Sequence, residues 1–186
     1  VTAEQDRVRW NGRYRQRTPS FTPHPLVAHA AEAGLPPGPV LELACGPSGS
    51  ALTLAAGGRA VTAVDVSDVA LEQLRTEAER RGLAARLTCV RADAGAALSA
   101  HAGPWAMVLA TLFWDAGVFT AAAGAVAPGG LLAWEALRAP DEPSRDVPHP
   151  YRVPHGQPAR LLPDRFTVAW QAAGETTTRL LARARF

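Results

Sequence analysis

From residue 40 onward, apolar and polar positions fall into a repeating order. Short apolar runs, "PVLELA" (39–44), "AVTAVDV" (60–66), "RLTCVRA" (86–92), "WAMVLATLF" (105–113) and "LLAWEAL" (131–137), are each bounded by Gly, Pro, Asp or Ser. Runs of that length with those boundaries predict short buried strands. Between them, "SDVALEQLRTEAERRGL" (67–83) reads as an amphipathic helix capped by Ser67 or Asp68, with Glu72 supporting the first turn. Val69, Leu71, Leu74 and Ala78 supply its apolar side, Gly82 ends it, and Glu77, Glu79, Arg80 and Arg81 read as a solvated face. The Ala-rich stretches 50–58 and 116–130 are weaker helices that stop at glycine.

A chain that alternates strand and helix in this way must pair its strands in parallel through right-handed crossovers. The predicted class is α/β with a doubly wound sheet. "FTVAWQAAG" (166–174) and "TTTRLLARARF" (176–186), separated by a Gly-Glu turn, read as two closing strands in an antiparallel hairpin. Residues 1–38 read as one or two helices broken at "RTPSFTPHP". Residues 139–158 hold six prolines in twenty positions, which excludes regular helix or central strand. A loop of that length is either functional or disordered.

At 186 residues and 47% hydrophobic content the chain suits a single domain, 1–186. A formal net charge of +2 points to neither nucleic acid nor membrane as a partner. All 19 basic residues are arginine, and neither lysine nor isoleucine occurs, a pattern of GC-rich coding. Cys45 and Cys89 make neither a disulfide framework nor a four-ligand zinc site, and no metal cluster stands out. The N-terminus is too charged for a signal peptide, and the longest apolar stretch, 104–114, is too short to span a bilayer. The expectation is a soluble, cytoplasmic protein.

In a doubly wound sheet the ligand sits beyond the carboxyl ends of the strands. The first such end runs from Glu42 into Cys45-Gly46-Pro47-Ser48-Gly49. It lacks the G-x-G-x-x-G spacing of a dinucleotide turn, and Pro47 removes a donor N–H, so a pyrophosphate cradle is disfavoured.

Glu42-Leu43-Ala44-Cys45-Gly46-Pro47-Ser48 is instead similar to motif I of the class I S-adenosylmethionine-dependent methyltransferases, roughly (Asp/Glu)-x-(Gly/Ala)-x-Gly-x-Gly. An acidic strand end suits a nucleoside that carries an ammonium and a sulfonium but no phosphate. The resemblance runs over 37–137. It implies a Rossmann-like methyltransferase fold of seven mostly parallel strands with the C-terminal hairpin, and S-adenosylmethionine as cofactor. It places the cofactor's amino acid portion against Glu42, Ala44 and Gly46, its ribose at Asp65 with Val66, its adenine at Asp93 and Ala94, and Ala110 at the end of the fourth strand. "WNGRY" (10–14) with the "PHP" of 23–25 resembles the openings of small bacterial methyltransferases related to tellurite-resistance and thiopurine enzymes, whose N-terminal helix covers the cofactor. Trp10 and Tyr14, spaced i to i+4, equally suit packing of one helix face.

Two departures stand out. Ser48 replaces the second glycine, which the turn accommodates if Gly49 takes the strained dihedral, and Ala106 replaces an aspartate that often begins the fourth strand. Asp115, Tyr14 and His149 are the candidate catalytic groups, and Asp115 is as well suited to capping the helix that follows it. Trp10, Trp114, Tyr151 and His155 are candidates for the substrate pocket, with the loop that carries Tyr151 and both His149 and His155 as a lid. The reading that follows is methyl transfer to a small molecule. Lyase or cyclase chemistry releasing methylthioadenosine, and cofactor binding without turnover, remain open beside it.

Overall fold

Four residues, Val40–Leu43, form the central strand β1, buried along its whole length. The structure, a computed structural model describing residues 2–101, 103–140 and 151–186, extends the sheet to both sides of it. β1 pairs in parallel with β2 (Val61–Asp65) and β4 (Trp105–Ala110). β3 (Leu87–Arg91) continues beyond β2, and β5 (Val126–Arg138) beyond β4. The antiparallel pair β8 (Thr177–Ala184) and β7 (Phe166–Ala173) closes the far side in the order β3-β2-β1-β4-β5-β8-β7. The chain therefore has the doubly wound, mostly parallel α/β fold with a C-terminal hairpin. To the seven strands expected it adds an eighth, the two-residue β6 (Arg152–Val153), which pairs with the end of β5.

The helices are α1 (Ala3–Arg15), α2 (Pro25–Glu32), α3 (Gly49–Ala56), α4 (Asp68–Arg80), α5 (Ala94–Ala100), α6 (Ala116–Ala125) and the short α7 (Gln157–Arg160), and those from α2 to α6 cover the two faces of the sheet. The period-two alternation of a strand divides the core. Leu41 and Leu43 join Ala97, Leu98, Phe119 and Ala122 of α5 and α6 in one layer. Val40 joins Leu26, Leu52, Leu71 and Leu74 of α2, α3 and α4 in the other. Each full burial of a Leu or Phe contributes roughly 1.5–3 kcal/mol relative to exposure.

Boundaries shift where tertiary packing outweighs local pattern. Ser67 caps α4, Arg81 is its C-cap, and Gly82 follows in the left-handed region at φ +69°. β4 stops at Ala110 rather than 113. α6 passes directly into β5 at Ala125–Val126 instead of stopping at glycine. Val126 still pairs with Trp105, and the ladder resumes at Met107–Leu131 after a shift in register across Pro128-Gly129-Gly130. Gly129, at φ +74°, lies under the Phe186 ring, which a Cβ would meet at 2.7 Å. α5, β6 and α7 carry no periodic apolar signal of their own; β6 lies inside the proline-rich stretch and α7 begins at its end. No helix among the described residues is long and apolar enough to cross a membrane.

Candidate cofactor cavity

β1 leads to α3 on one face and β4 to α6 on the other, so a crevice opens where their carboxyl ends diverge. A cavity of about 700 Å³ lies there. The turn after β1 forms its floor. Ala44 takes φ 49° and Gly46 φ 57°, and the Gly46 N–H donates to the Asp65 Oδ2 at 2.8 Å. The Ser67 N–H donates to the Asp65 Oδ1, also at 2.8 Å, so this one carboxylate fixes the ends of β1 and β2 together. Burial pushes the Asp65 carboxyl up from its ordinary range, and those backbone N–H groups oppose the shift.

Ser48 does not sit where a positive φ is needed. Its φ of −77° is extended, it caps α3 by accepting from the Ala51 N–H at 2.9 Å, and its hydroxyl reaches both carboxylate oxygens of Glu42 at 2.8 Å. Nor does Gly49 absorb a strained dihedral, since it lies in the first turn of α3 outside the left-handed region. It is glycine for space: the Phe21–Thr22 backbone crosses so closely that a Cβ would sit 2.3 Å from the Phe21 carbonyl. The departure in the motif therefore serves the local fold.

Glu42 is 2% exposed and does not line the large cavity. It borders a smaller one of about 270 Å³ together with His24, Cys45, Ser48 and Thr111. Burial raises its carboxyl to about 8, against the lowering effect of the Ser48 hydroxyl. Beyond it, Glu135 accepts from Arg179 Nε at 2.7 Å and lies 3.1 Å from His24 Nε2. Burial works to raise the Glu135 carboxyl, and the hydrogen bonds from His24 and Arg179 outweigh it and hold the group low. His24 Nδ1 accepts from the Leu26 N–H as the α2 cap, so both ring nitrogens are engaged.

The roof comes from α1, whose one buried residue is Asn11. The Asn11 Nδ2 donates to Asp68 at 2.9 Å, and its Oδ1 accepts from the Ser67 hydroxyl at 2.6 Å. Arg7 adds a second bond to Asp68 at 3.1 Å. The polar clamp sets Trp10 and Tyr14, stacked with centroids 5.8 Å apart, over the cavity. The Tyr14 hydroxyl would lie 2.8 Å from a Cβ on Gly46. Burial first, then the Asp65 charge, pushes the Tyr14 phenol well above its ordinary value, so it is a hydrogen-bond donor and not a base at neutral pH.

The large cavity brings together Trp10, Tyr14, Ala44, Gly46, Asp65, Val66, Asp93, Ala94, Trp114, Asp115 and Tyr151 of the expected residues. Ala110 is fully buried in β4 beneath it, and His155 points elsewhere, its Nδ1 2.8 Å from the Thr178 hydroxyl. His149 lies outside the described residues. Asp93 and Asp115 cap α5 and α6, each accepting a backbone N–H at 2.8 Å through Oδ1. Asp6, Arg17, Thr111, Leu112 and Phe113 also line the cavity. Thr111–Phe113 read as the end of a strand in sequence, and only the turn after Ala110 turns them to the cavity wall.

Fold and crevice together define a Rossmann-like methyltransferase architecture. Residues 40–130 match a family described as methyltransferase domain, and this segment holds the β1 turn, Asp65, Asp93 and the end of β4. Over these residues the chain is similar to methyltransferase domains, and its fold is the Rossmann-like one of the class I type. Among solved structures it is similar to one from work on the conversion of a disulfide bond into a thioacetal group during echinomycin biosynthesis. That match has 20% identity, covers 95% of this chain and 90% of the other, and gives a TM-score of 0.72. TehB from Haemophilus influenzae is 17% identical with a TM-score of 0.74, and the match covers 87% of this chain and 62% of TehB. Magnesium protoporphyrin IX methyltransferase from Synechocystis, solved with S-adenosylhomocysteine bound, is 16% identical with a TM-score of 0.66, covering 86% and 80% of the two chains. No curated protein matches the sequence.

Proposed function

We propose that the protein transfers a methyl group from S-adenosylmethionine to a small-molecule acceptor. The observation that carries this reading is the chemistry of the 700 Å³ cavity: a glycine turn with no phosphate cradle, acidic side chains at the ends of β2 and β3, and an aromatic roof. When bound, the sulfonium cofactor supplies an activated methyl carbon. An acceptor held in line with that carbon would take the methyl group as the carbon–sulfur pair returned to sulfur, and any acceptor proton would leave to solvent or a base.

Asp65 is suited to the ribose hydroxyls and Asp93 to the adenine amino group. Ala94 and Val66 supply apolar contact to the ring. Ala44 and Gly46 let the backbone approach the amino acid end, with Tyr14 donating a hydrogen bond above them. Rings of Trp10 and Trp114 suit the cation. Asp115, the N-cap of α6, orients the acceptor through the oxygen not used in capping. The main contribution of the chain is near-attack geometry in a shielded space. Incubating the protein with S-adenosylmethionine and a panel of oxygen, nitrogen and sulfur acceptors tests the reading. Release of S-adenosylhomocysteine supports it, whereas methylthioadenosine alone contradicts methyl transfer.

A further inference from the structure

Among the described residues, two that are not glycine hold a left-handed backbone: Ala44 at φ 49° and Leu112 at φ 54°. Both line the large cavity. Such backbone is unfavourable for a residue with a Cβ and persists where the surrounding structure or a function requires it. Ala44 is a small residue in the turn that presents Gly46, and hydrogen bonds to Val64 and Asp65 hold the residues that follow it.

Leu112 is different. Its backbone is strained and the residue is 61% exposed, so the folded protein recovers neither cost by packing. Glycine suits the dihedral better, and a polar residue suits the exposure better. Leu112 shares the cavity wall with Phe113 and with Tyr151, which is itself 45% exposed. Exposed apolar side chains held at a cavity mouth gain their burial from a ligand.

We infer that Leu112 is a specificity-determining residue of the acceptor site, and that the acceptor presents a flat apolar face that buries Leu112 and Tyr151. The inference rests on the methyltransferase reading and deepens it by naming the substrate class. Polar, fully hydrated acceptors leave the wall as it is in the free protein. An aromatic or fused-ring acceptor covers it and fits among the rings of Trp10, Phe113 and Trp114.

The test uses N-phenyl-1-naphthylamine, a neutral aromatic probe whose emission rises in apolar surroundings, titrated into the full chain with and without saturating S-adenosylhomocysteine. Wild type is expected to bind it saturably. Leu112→Ala and Leu112→Gly are expected to weaken it about fivefold or more, from lost apolar burial. S-adenosylhomocysteine affinity, by calorimetry, is expected to stay within about twofold in both variants, and Leu112→Gly to melt at or above the wild-type temperature as the dihedral is relieved. Unchanged probe affinity in both variants, no saturable binding to wild type, or a clear fall in the Leu112→Gly melting temperature would overturn the inference. A wild-type chain that binds no S-adenosylhomocysteine sinks the methyltransferase reading instead, and the titration without it still decides the role of Leu112.

Discussion

The Ser48 hydroxyl lies 2.8 Å from both carboxylate oxygens of Glu42 while accepting the Ala51 N–H at 2.9 Å. One hydroxyl thus caps α3 and serves a carboxyl buried under the glycine turn. Ser48→Ala removes both. A lost cap costs about 1 kcal/mol and an unserved buried acceptor about 1–3 more. Chemical denaturation should show a loss of roughly 2–4 kcal/mol at unchanged m-value. A loss below about 0.5 kcal/mol contradicts the double role.

Glu42 also gives stability a pH dependence of definite sign. Its carboxyl titrates at about 8 in the folded chain against an ordinary value near 4.5, so the folded state holds a proton that the unfolded state has released in between. The contribution of Glu42 is complete below about pH 4.5 and is lost as pH rises through about 8. Glu42→Gln should therefore flatten the fall in stability between those values and be the more stable form at pH 9. Melting both proteins across pH 5–9 checks this; parallel profiles would contradict it.

Two glycines offer a paired test of space. A Cβ at Gly49 would meet the Phe21 backbone at 2.3 Å, whereas one at Gly12, inside α1, meets nothing within 4 Å. Gly49→Ala should destabilise by about 2 kcal/mol or more through forced backbone movement. Gly12→Ala should be neutral or stabilise by up to about 1 kcal/mol through helix propensity. Equal melting temperatures for the two variants would be the contrary result.

Much of this was legible in the sequence. The five runs that begin with "PVLELA" are parallel strands of the sheet, and Gly46 and Asp65 follow or end β1 and β2 because a short buried run leaves little freedom in where it stops; β3, expected to be buried, is an edge strand with no buried residue, and Asp93 after it is fixed by capping α5. Other features depend on partners far away in the chain. Ser48 departs from the motif in sequence, and its reason is the bond to Glu42, six residues back, which spacing does not convey. The closeness of Phe21 to Gly49 has no local signal. Glu42 faces away from the large cavity because alternation along β1 turns it to the side of Val40 and α3, which motif spacing alone does not convey.

Asn11 belongs to this second group. Sequence marks Trp10 and Tyr14, but Asn11, the residue after Trp10, clamps α1 to Ser67 and Asp68. Since Asn11 is the one buried residue of α1, Asn11→Ala should loosen the helix without unfolding the sheet. Hydrogen exchange is expected to quicken about tenfold or more across Ala3–Arg15, with the global melting temperature lowered by no more than a few degrees. Protection of α1 equal to that of wild type would refute the clamp.

The central claim is that the cavity beyond β1 and β4 holds the methyl-donor nucleoside on Asp65. Calorimetric titration of the full chain with S-adenosylhomocysteine tests it most directly, with Asp65→Asn alongside and folding checked by circular dichroism. The account predicts one site per chain in wild type and an affinity at least about tenfold weaker in Asp65→Asn, since two backbone donors and the ribose would lose a carboxylate partner. No binding to wild type, or equal affinity in the two folded proteins, would contradict it.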